Sequence, residues 1–147
     1  DGRLAQAIIS IPGIKSFEVG LGSGYAISFG SEVHDEIYHA KGKGYLRKTN
    51  NAGGIEGGIS NGEDLVLRAC MKPISTLMKP LNSINIKTNK SSKAAVERSD
   101  TCVVEAAGVV AESACAFVLA DAILEKFGSD SLKEIKANYK NYLKKIS

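Results

Sequence analysis

The sequence predicts a single α+β domain in which helices pack against antiparallel β-sheets. Its 147 residues, 44% hydrophobic and 24% charged, suit one domain with a sizeable core. Short apolar runs separated by glycine-rich turns occupy roughly the first two thirds of the chain, which is typical of β-hairpins. Two helical patterns follow, and the first of them is apolar on most sides. Such a helix is expected to be buried between two layers.

The first third of the chain combines a short helix with strands. Residues 4–11 favour a helix that ends at Pro12-Gly13, because proline biases its predecessor out of the helical region. Apolar clusters predict strands at residues 17–19 and 25–29. Seven glycines between Gly42 and Gly62 are too many for regular structure. They predict a long loop, residues 42–62, of the kind that is usually functional.

Further strands are predicted after this loop. Residues 65–71 form a strand that carries Lys72 at its far end. Alternating apolar residues over 82–88 and the return over 94–96 predict a hairpin with its turn at residues 89–92.

The last third of the chain is helical. Residues 103–127 form the main helix, with Asp100 or Thr101 as the N-terminal cap and Gly128 as the stop. Ser131 and Glu134 have the spacing of a capping box that begins a second helix over residues 131–146. Its apolar stripe favours packing on its own domain, with partner or membrane-surface binding as the alternative.

Composition excludes several classes of protein. The longest apolar run, residues 114–120, falls well short of the ~20 residues that cross a bilayer and ends at Asp121, so we expect no membrane association. The net charge of +3 comes largely from C-terminal lysines, and the absence of tryptophan and of a basic aromatic patch disfavours nucleic-acid binding.

Three cysteines without metal-site spacing indicate reduced thiols in a cytoplasmic protein. The first residue, Asp1, suggests a truncated chain.

A polar cluster near the middle of the chain resembles a metal site only superficially. His34 and His39 are the strong candidate ligands, but their spacing is not that of HExxH and no third ligand lies nearby. We therefore expect a polar surface segment and no bound metal.

The clearest functional signal lies between residues 50 and 76. Two glycine doublets, Gly53-Gly54 and Gly57-Gly58, would let backbone amides approach a flat or anionic ligand. The run from Lys72 to Thr76 then adds a positive charge and two hydroxyls, which suit a phosphate. The order of a Walker loop is absent.

Arg98 and Asp100 form a second candidate site. On an extended segment both side chains point to the same side, with Ser99 opposite. The guanidinium suits a phosphate or carboxylate, and the neighbouring carboxylate could act as a base. The alternative is a helix cap with a local ion pair. The residues alone predict an anion site built from the glycine loop, Lys72 and Arg98.

Several motifs, in order, resemble the C-terminal part of chorismate synthase: SIPGIKSFEVGLG, GSEVHDE, NNAGGIEGGISNG, MKPIST, ERSDTC and VVAESACAFVLADAIL. The resemblance covers nearly the whole chain, residues 1–147. It implies a lyase of the shikimate pathway of aromatic amino acid biosynthesis. The family uses reduced FMN to eliminate phosphate from 5-enolpyruvylshikimate 3-phosphate in an anti 1,4 sense. It also implies a helix layer between antiparallel sheets, a β-α-β sandwich of which this chain is an incomplete portion, in a homotetramer.

The same resemblance assigns site residues. Gly57 would lie against the flavin, Arg98 would touch flavin and substrate, and Asp100 would manage a proton at the flavin N5. The remaining cofactor contacts would be Lys72, placed near the phosphate, and Pro73, Ile74, Ser75, Thr76, Ser99, Pro12 and Gly13. His34 and His39 do not match the family's catalytic histidines.

The family's N-terminal half, with its catalytic histidines and most of its substrate-binding arginines, does not appear in this sequence. Because positioning and electrostatics supply most of the rate, we expect the chain alone to be inactive. Two alternatives stay open: a flavin- or phosphate-binding module without catalysis, and an oligomerisation piece. Members of the family differ in whether they reduce the flavin themselves with NADPH or depend on an external reductant.

Overall fold

The computed structural model describes residues 1–146 and confirms the α+β class. A 3₁₀-helix at Gly22–Ile27 follows the first strand. In chain order the other elements are α1 (Gly2–Ile9), β1 (Ile14–Val19), α2 (Gly30–Val33), β2 (Ile37–Ala40), β3 (Gly44–Arg47), β4 (Ile55–Glu56), β5 (Ile59–Ser60), β6 (Leu67–Met71), β7 (Asn82–Asn85), β8 (Lys90–Lys93), α3 (Val104–Phe127) and α4 (Leu132–Ile146).

All strand pairs are antiparallel and form two-stranded ribbons: β1 with β6, β2 with β3, β4 with β5, and β7 with β8. The β1–β6 ribbon joins distant parts of the chain, with Val19 opposite Leu67 and Ile14 opposite Met71. Its register shifts between Ile14 and Ser16, which marks an irregularity near the end that carries Lys72.

The core lies where α1 packs against β1 and α3. Leu4 and Ile8 are one helical turn apart on α1 and are buried together with Ile14 of β1. Arg3 on the outer side of α1 donates to Asp121 and Glu125 of α3, at 3.4 and 2.8 Å. This corner holds most of the buried side chains that the structure describes.

Helix α3 has the predicted length and ends at Gly128, whose φ of 102° requires glycine. The predicted cap is wrong: Val103 occupies the N-cap position, and no side-chain hydrogen bond from Asp100 or Thr101 closes the helix. Val103 cannot accept from the first amides, so this end of the helix is left without a side-chain cap.

The expected burial of α3 on most sides is not observed. None of its residues is buried, and Phe117 is 81% exposed. By length and composition α3 is apolar enough to cross a membrane, a property that core helices of water-soluble proteins share. Among the described elements, α1 and α4 make the most extensive contacts with α3.

Helix α4 spans the predicted residues and packs on the end of α3. Phe127 meets the rings of Tyr139 and Tyr142 edge-on, with centroids 5.5 and 5.6 Å apart. Asn138 donates to the Phe127 carbonyl at 2.9 Å. Only one bond of the predicted capping box is recorded, from the Glu134 amide to Ser131 Oγ at 3.4 Å.

The predicted strand at residues 25–29 is wrong. The segment begins in the 3₁₀-helix and ends at α2. Ser28 Oγ donates to the Gly24 carbonyl at 2.9 Å, and the Ser23 amide donates to Glu18 Oε1 at 3.1 Å. Because these polar groups find partners within a few residues, the segment needs no partner strand.

The predicted single loop over residues 42–62 is also wrong, because β3, β4 and β5 fall within it. Three of its glycines occupy the turns of hairpins: Gly42, between β2 and β3, has φ of 79°, and Gly57 and Gly58, between β4 and β5, have φ of 58° and 78°. The glycine content therefore marks tight hairpin turns.

The hairpin over residues 82–96 exists with shifted strands. Strand β7 ends at Asn85 and β8 begins at Lys90, so Ile86 lies in the turn. Asn85 Oδ1 accepts from the amides of Lys87 and Thr88, and Asn89 adopts a φ of 53°. These preferences of asparagine place the turn earlier than apolar alternation predicts.

Candidate functional site

Two of the predicted cofactor segments meet at one end of the β1–β6 ribbon. The amide of Lys72 donates to the carbonyl of Gly13 at 2.8 Å. Gly13 has a φ of 90°, and a Cβ there would lie 2.8 Å from the Cε of Met71. The backbone thus sets Pro12-Gly13 beside Lys72-Pro73.

The segment from Lys72 to Thr76 leaves the ribbon without regular structure, since Pro73 lacks the amide that would continue the pairing. Lys72, Pro73 and Ser75 are exposed, whereas Ile74 and Thr76 are half-buried. Within residues 1–146, no hydrogen bond or salt bridge engages the Lys72 ammonium or the two hydroxyls. These donors are therefore open to an external anion.

Gly57 lies at the tip of the β4–β5 hairpin, next to Gly58. Both residues are exposed, and a Cβ at either position would meet nothing within 4 Å. This tip presents bare backbone to solvent, as contact with a flat ligand requires.

Arg98, Ser99 and Asp100 lie in the irregular segment between β8 and α3, and all three are exposed. Ser99 Oγ donates to the Asp100 carbonyl at 3.3 Å. Among the described residues, neither a local ion pair between Arg98 and Asp100 nor a side-chain cap on α3 forms. No recorded hydrogen bond or salt bridge joins this segment to Lys72 or Gly57, so the structure gathers only part of the predicted site.

The first glycine doublet has a packing role. Gly53 and Gly54 are buried, and the carbonyl of Asn51 accepts from the Leu21 amide at 2.6 Å. A Cβ on Gly20 would lie 1.9 Å from that carbonyl oxygen. A Cβ on Gly53 would clash with the backbone of Gly20, and a Cβ on Gly54 would lie 2.5 Å from the carbonyl oxygen of Asp64. Close backbone contacts with residues 20 and 64 therefore explain this doublet, and the second doublet alone is open to a ligand.

Sequence reasoning missed Asp35, which anchors this turn. Its Oδ1 accepts from Thr49 Oγ1 at 2.6 Å and from the Asn51 amide at 2.8 Å, and its Oδ2 accepts from the Ala52 amide at 2.8 Å. Desolvation pushes the pKa of the Asp35 carboxyl upward, but these hydrogen bonds and the charge of Arg47 outweigh it and hold the pKa below its usual value. The available signal was the glycine turn itself, whose amides need an acceptor.

A second carboxylate, that of Glu56, links the β4–β5 hairpin to Arg47 at the end of β3. Glu56 Oε2 pairs with Arg47 Nη2 at 2.5 Å and accepts from Asn61 Nδ2 at 2.8 Å. The hydrogen bond from Arg47, followed by that from Asn61, lowers the pKa of Glu56. The lowered pKa values of Asp35 and Glu56 thus favour the ionised form of each carboxyl group.

Three cavities lie in the described part of the chain, and Gly57, Lys72, Arg98 and Asp100 line none of them, whereas Gly58 lines the second. A cavity of about 440 Å³ separates the β1–β6 ribbon from α3 and is mostly apolar, with Arg68 and Glu112 as its charged lining residues. Burial raises the pKa of the Cys115 thiol on its wall. This space has the character of a protein core rather than of an anion site.

The two histidines stand apart from any ligand set. His39 lies edge-on to Tyr45, with ring centroids 5.4 Å apart. Across the described residues, no group of three or more potential ligands is close enough to hold a metal ion.

Comparison with known proteins gives a consistent result. The family model described as chorismate synthase matches residues 1–124. A protein named chorismate synthase from Geobacter metallireducens is 57% identical over 150 residues, which cover 97% of this chain and 38% of the relative. One from Thermoanaerobacter pseudethanolicus is 57% identical over 143 residues, covering 97% of this chain and 41% of the relative.

A solved structure titled as a crystal structure of chorismate synthase superimposes with a TM-score of 0.77 and 43% identity, over 99% of this chain and 35% of its own. The chain therefore spans about two fifths of the length of the curated relatives it matches. The family match includes every residue of the candidate site. This chain belongs to the chorismate synthase family.

Proposed function

We propose that this chain forms the C-terminal portion of a chorismate synthase, a lyase that eliminates phosphate from 5-enolpyruvylshikimate 3-phosphate. The observation that carries the proposal is the 57% identity to a chorismate synthase over 97% of this chain. In the reaction one C–H and one C–O bond break, a new double bond forms, and a proton and phosphate leave with no net redox change. The product is chorismate, a precursor of the aromatic amino acids.

The exposed donors fit FMN. Lys72 and Arg98 are cations without a carboxylate partner in the described chain, and hydroxyls at Ser75, Thr76 and Ser99 accompany them. Cations and hydroxyls are the groups that a phosphate prefers, and the bare Gly57 backbone suits a flat ring. When bound, reduced FMN would supply the electron-rich ring that the elimination requires.

We assign roles to the chain's own residues accordingly. Lys72 binds the FMN phosphate, while the segment from Pro73 to Thr76, Pro12-Gly13 and Ser99 line the flavin. Arg98 contacts flavin and substrate and orients the departing phosphate. Asp100 holds or moves a proton at the flavin N5. The hydrogen bond between the Lys72 amide and the Gly13 carbonyl supports a shared role for their two segments.

The chain by itself provides one wall of this site. Arg98, Asp100, Lys72 and Gly57 are exposed rather than enclosed. An open site cannot exclude water or fix the substrate, and these effects supply much of the rate. We therefore propose that the isolated chain does not turn over substrate. We also propose that the whole enzyme is a cytoplasmic homotetramer that binds neither nucleic acid nor membrane.

A chimera makes the proposal testable. In the Geobacter metallireducens relative, the aligned segment is replaced by this chain, and FMN affinity is measured by flavin fluorescence. We expect affinity close to that of the parent relative. Lys72→Ala should weaken FMN binding by about tenfold or more, because it removes a charge-assisted contact to phosphate.

Lys79→Ala is the matched control, since Lys79 is also exposed and lies seven residues further along the same irregular region. It should leave FMN affinity unchanged. Equal effects of the two substitutions would show that Lys72 acts only through net charge and would overturn its assignment to the phosphate.

A further inference from the structure

The half-buried Asp35 is built into a hydrogen-bond arrangement that no assigned role explains. Its two oxygens accept from Thr49 Oγ1 and from the consecutive amides of Asn51 and Ala52, at 2.6 to 2.8 Å. Three donors converge on one carboxylate, and two of them belong to the backbone of a single turn. Such bonds to a charged acceptor are stronger than those between neutral groups.

The turn of residues 50–54, whose amides donate to Asp35, is also the base of the β4–β5 hairpin. Gly54 precedes β4, and its carbonyl accepts from the amide of Asn61, which follows β5, at 3.0 Å. The Gly54 amide donates to Asn50 Oδ1 at 2.8 Å, and Asn50 Nδ2 donates to the Asp64 carbonyl at 2.8 Å. Both ends of the hairpin therefore attach to residues 50–54.

The β4–β5 hairpin is too short to hold a fixed orientation by itself. Its ladder contains two residue pairs, Ile55 with Ser60 and Glu56 with Ile59. A two-stranded ribbon of this size is marginally stable at best in water. Among the described residues, the hydrogen bonds that tie it to the rest of the chain lie at its base and between Glu56 and Arg47.

We propose that Asp35 is a positioning residue that fixes the turn of residues 50–54 and, through it, the direction of the hairpin that carries Gly57. The link to flavin binding rests on the function proposed above, whereas the link to hairpin order does not. Asp35 acts through the turn and touches neither cofactor nor substrate.

Amide hydrogen exchange in the chain itself tests the structural link. Asp35→Ala should speed exchange at Asn51, Ala52 and the hairpin-closing Asn61 amide by about tenfold or more. The Lys72 amide, bonded to Gly13 in the β1–β6 ribbon, should keep its rate. Faster exchange at Asn51 and Ala52 with an unchanged Asn61 would show that the turn does not hold the hairpin, and would overturn the proposal.

Asp64→Asn is the matched control for these measurements. The backbone carbonyl of Asp64 accepts from Asn50 Nδ2 in the same turn, but the exposed Asp64 side chain makes no hydrogen bond within residues 1–146. It should change none of these exchange rates. An effect equal to that of Asp35→Ala would assign the protection to general charge and contradict the proposal.

FMN affinity in the chimera tests the functional link. Asp35→Asn should raise the Kd for FMN by about tenfold, at a temperature where circular dichroism shows both proteins folded. Asp35→Glu, which keeps two acceptor oxygens, should restore part of the affinity. A merely structural role would lower the melting temperature and leave Kd unchanged, which would refute the positioning role. If the unsubstituted chimera binds no FMN, the proposed function fails, and hydrogen exchange still decides the role of Asp35.

Discussion

Two glycines with the same backbone conformation should differ sharply in their tolerance of a methyl group. Gly20 and Gly57 have φ of 57° and 58°, so an alanine at either position carries a similar left-handed penalty of about 1–2 kcal/mol. Gly57 faces open space, whereas a Cβ on Gly20 would lie 1.9 Å from the Asn51 carbonyl oxygen. That separation is more than ~1 Å below the ~3.3 Å of an ordinary C···O contact.

The clash at Gly20 adds to the shared conformational cost. Moving the Asn51 carbonyl away breaks its 2.6 Å bond to the Leu21 amide and strains the 2.8 Å bond from the Gly20 amide to Val66. Leaving one such amide unsatisfied costs about 1–3 kcal/mol. Gly20→Ala should therefore lower the free energy of unfolding by about 1–3 kcal/mol more than Gly57→Ala does.

Urea unfolding followed by circular dichroism measures this difference. Gly57→Ala should shift the midpoint modestly, and Gly20→Ala should shift it strongly or abolish cooperative unfolding. Equal shifts would refute the close packing of residues 20 and 51 that organises this part of the fold.

Three further outcomes follow from the structure. Because the folded-state pKa of Asp35 lies below its usual value, the stabilisation by this carboxylate is complete above about pH 4 and is lost as the pH falls through the lowered pKa. Asp35→Asn should therefore flatten the plot of the free energy of urea unfolding against pH between about pH 2 and 5. An unchanged slope of that plot would contradict this. Leu4→Ala should cost about 2–4 kcal/mol in urea unfolding because Leu4 is buried between α1, β1 and α3, whereas Arg3→Ala, which breaks only exposed ion pairs, should cost less than about 1 kcal/mol. Phe117→Glu should reduce self-association of the isolated chain in sedimentation velocity, because Phe117 is 81% exposed on an apolar helix, and a monomeric unsubstituted chain would count against this.

Elements governed by local pattern could be predicted from the sequence. Helices α3 and α4 follow from apolar content, the capping serine Ser131 and the stop at Gly128. The β6 strand ending at Met71 likewise follows from its apolar run.

Features that depend on distant contacts could not be predicted. Asp35 meets the Ala52 amide 17 residues away, and nothing in its immediate neighbours indicates this. The apolar run at residues 25–29 does not distinguish a strand from the local turns that form there. The burial expected of α3 depends on what covers it, and the chain spans only 38% of the length of a matched relative.

The candidate site was predicted in parts. The motif order identified the family, and the residue types at Lys72 and Arg98 indicated an anion. The meeting of Gly13 and Lys72 required the pairing of β1 with β6, which local sequence does not encode. The position of Arg98 relative to Lys72 could not be predicted from local sequence, because the segment around residues 98–100 lies outside regular structure.

Chorismate formation from 5-enolpyruvylshikimate 3-phosphate, with reduced FMN supplied, tests the central claim most directly. The isolated chain should produce no chorismate above background, and the chimera should produce it at a rate within about tenfold of the parent relative. Arg98→Ala and Asp100→Ala should each reduce the chimera's rate strongly. Turnover by the isolated chain near the rate of the parent, or a folded, FMN-binding chimera that makes no chorismate, would contradict the account.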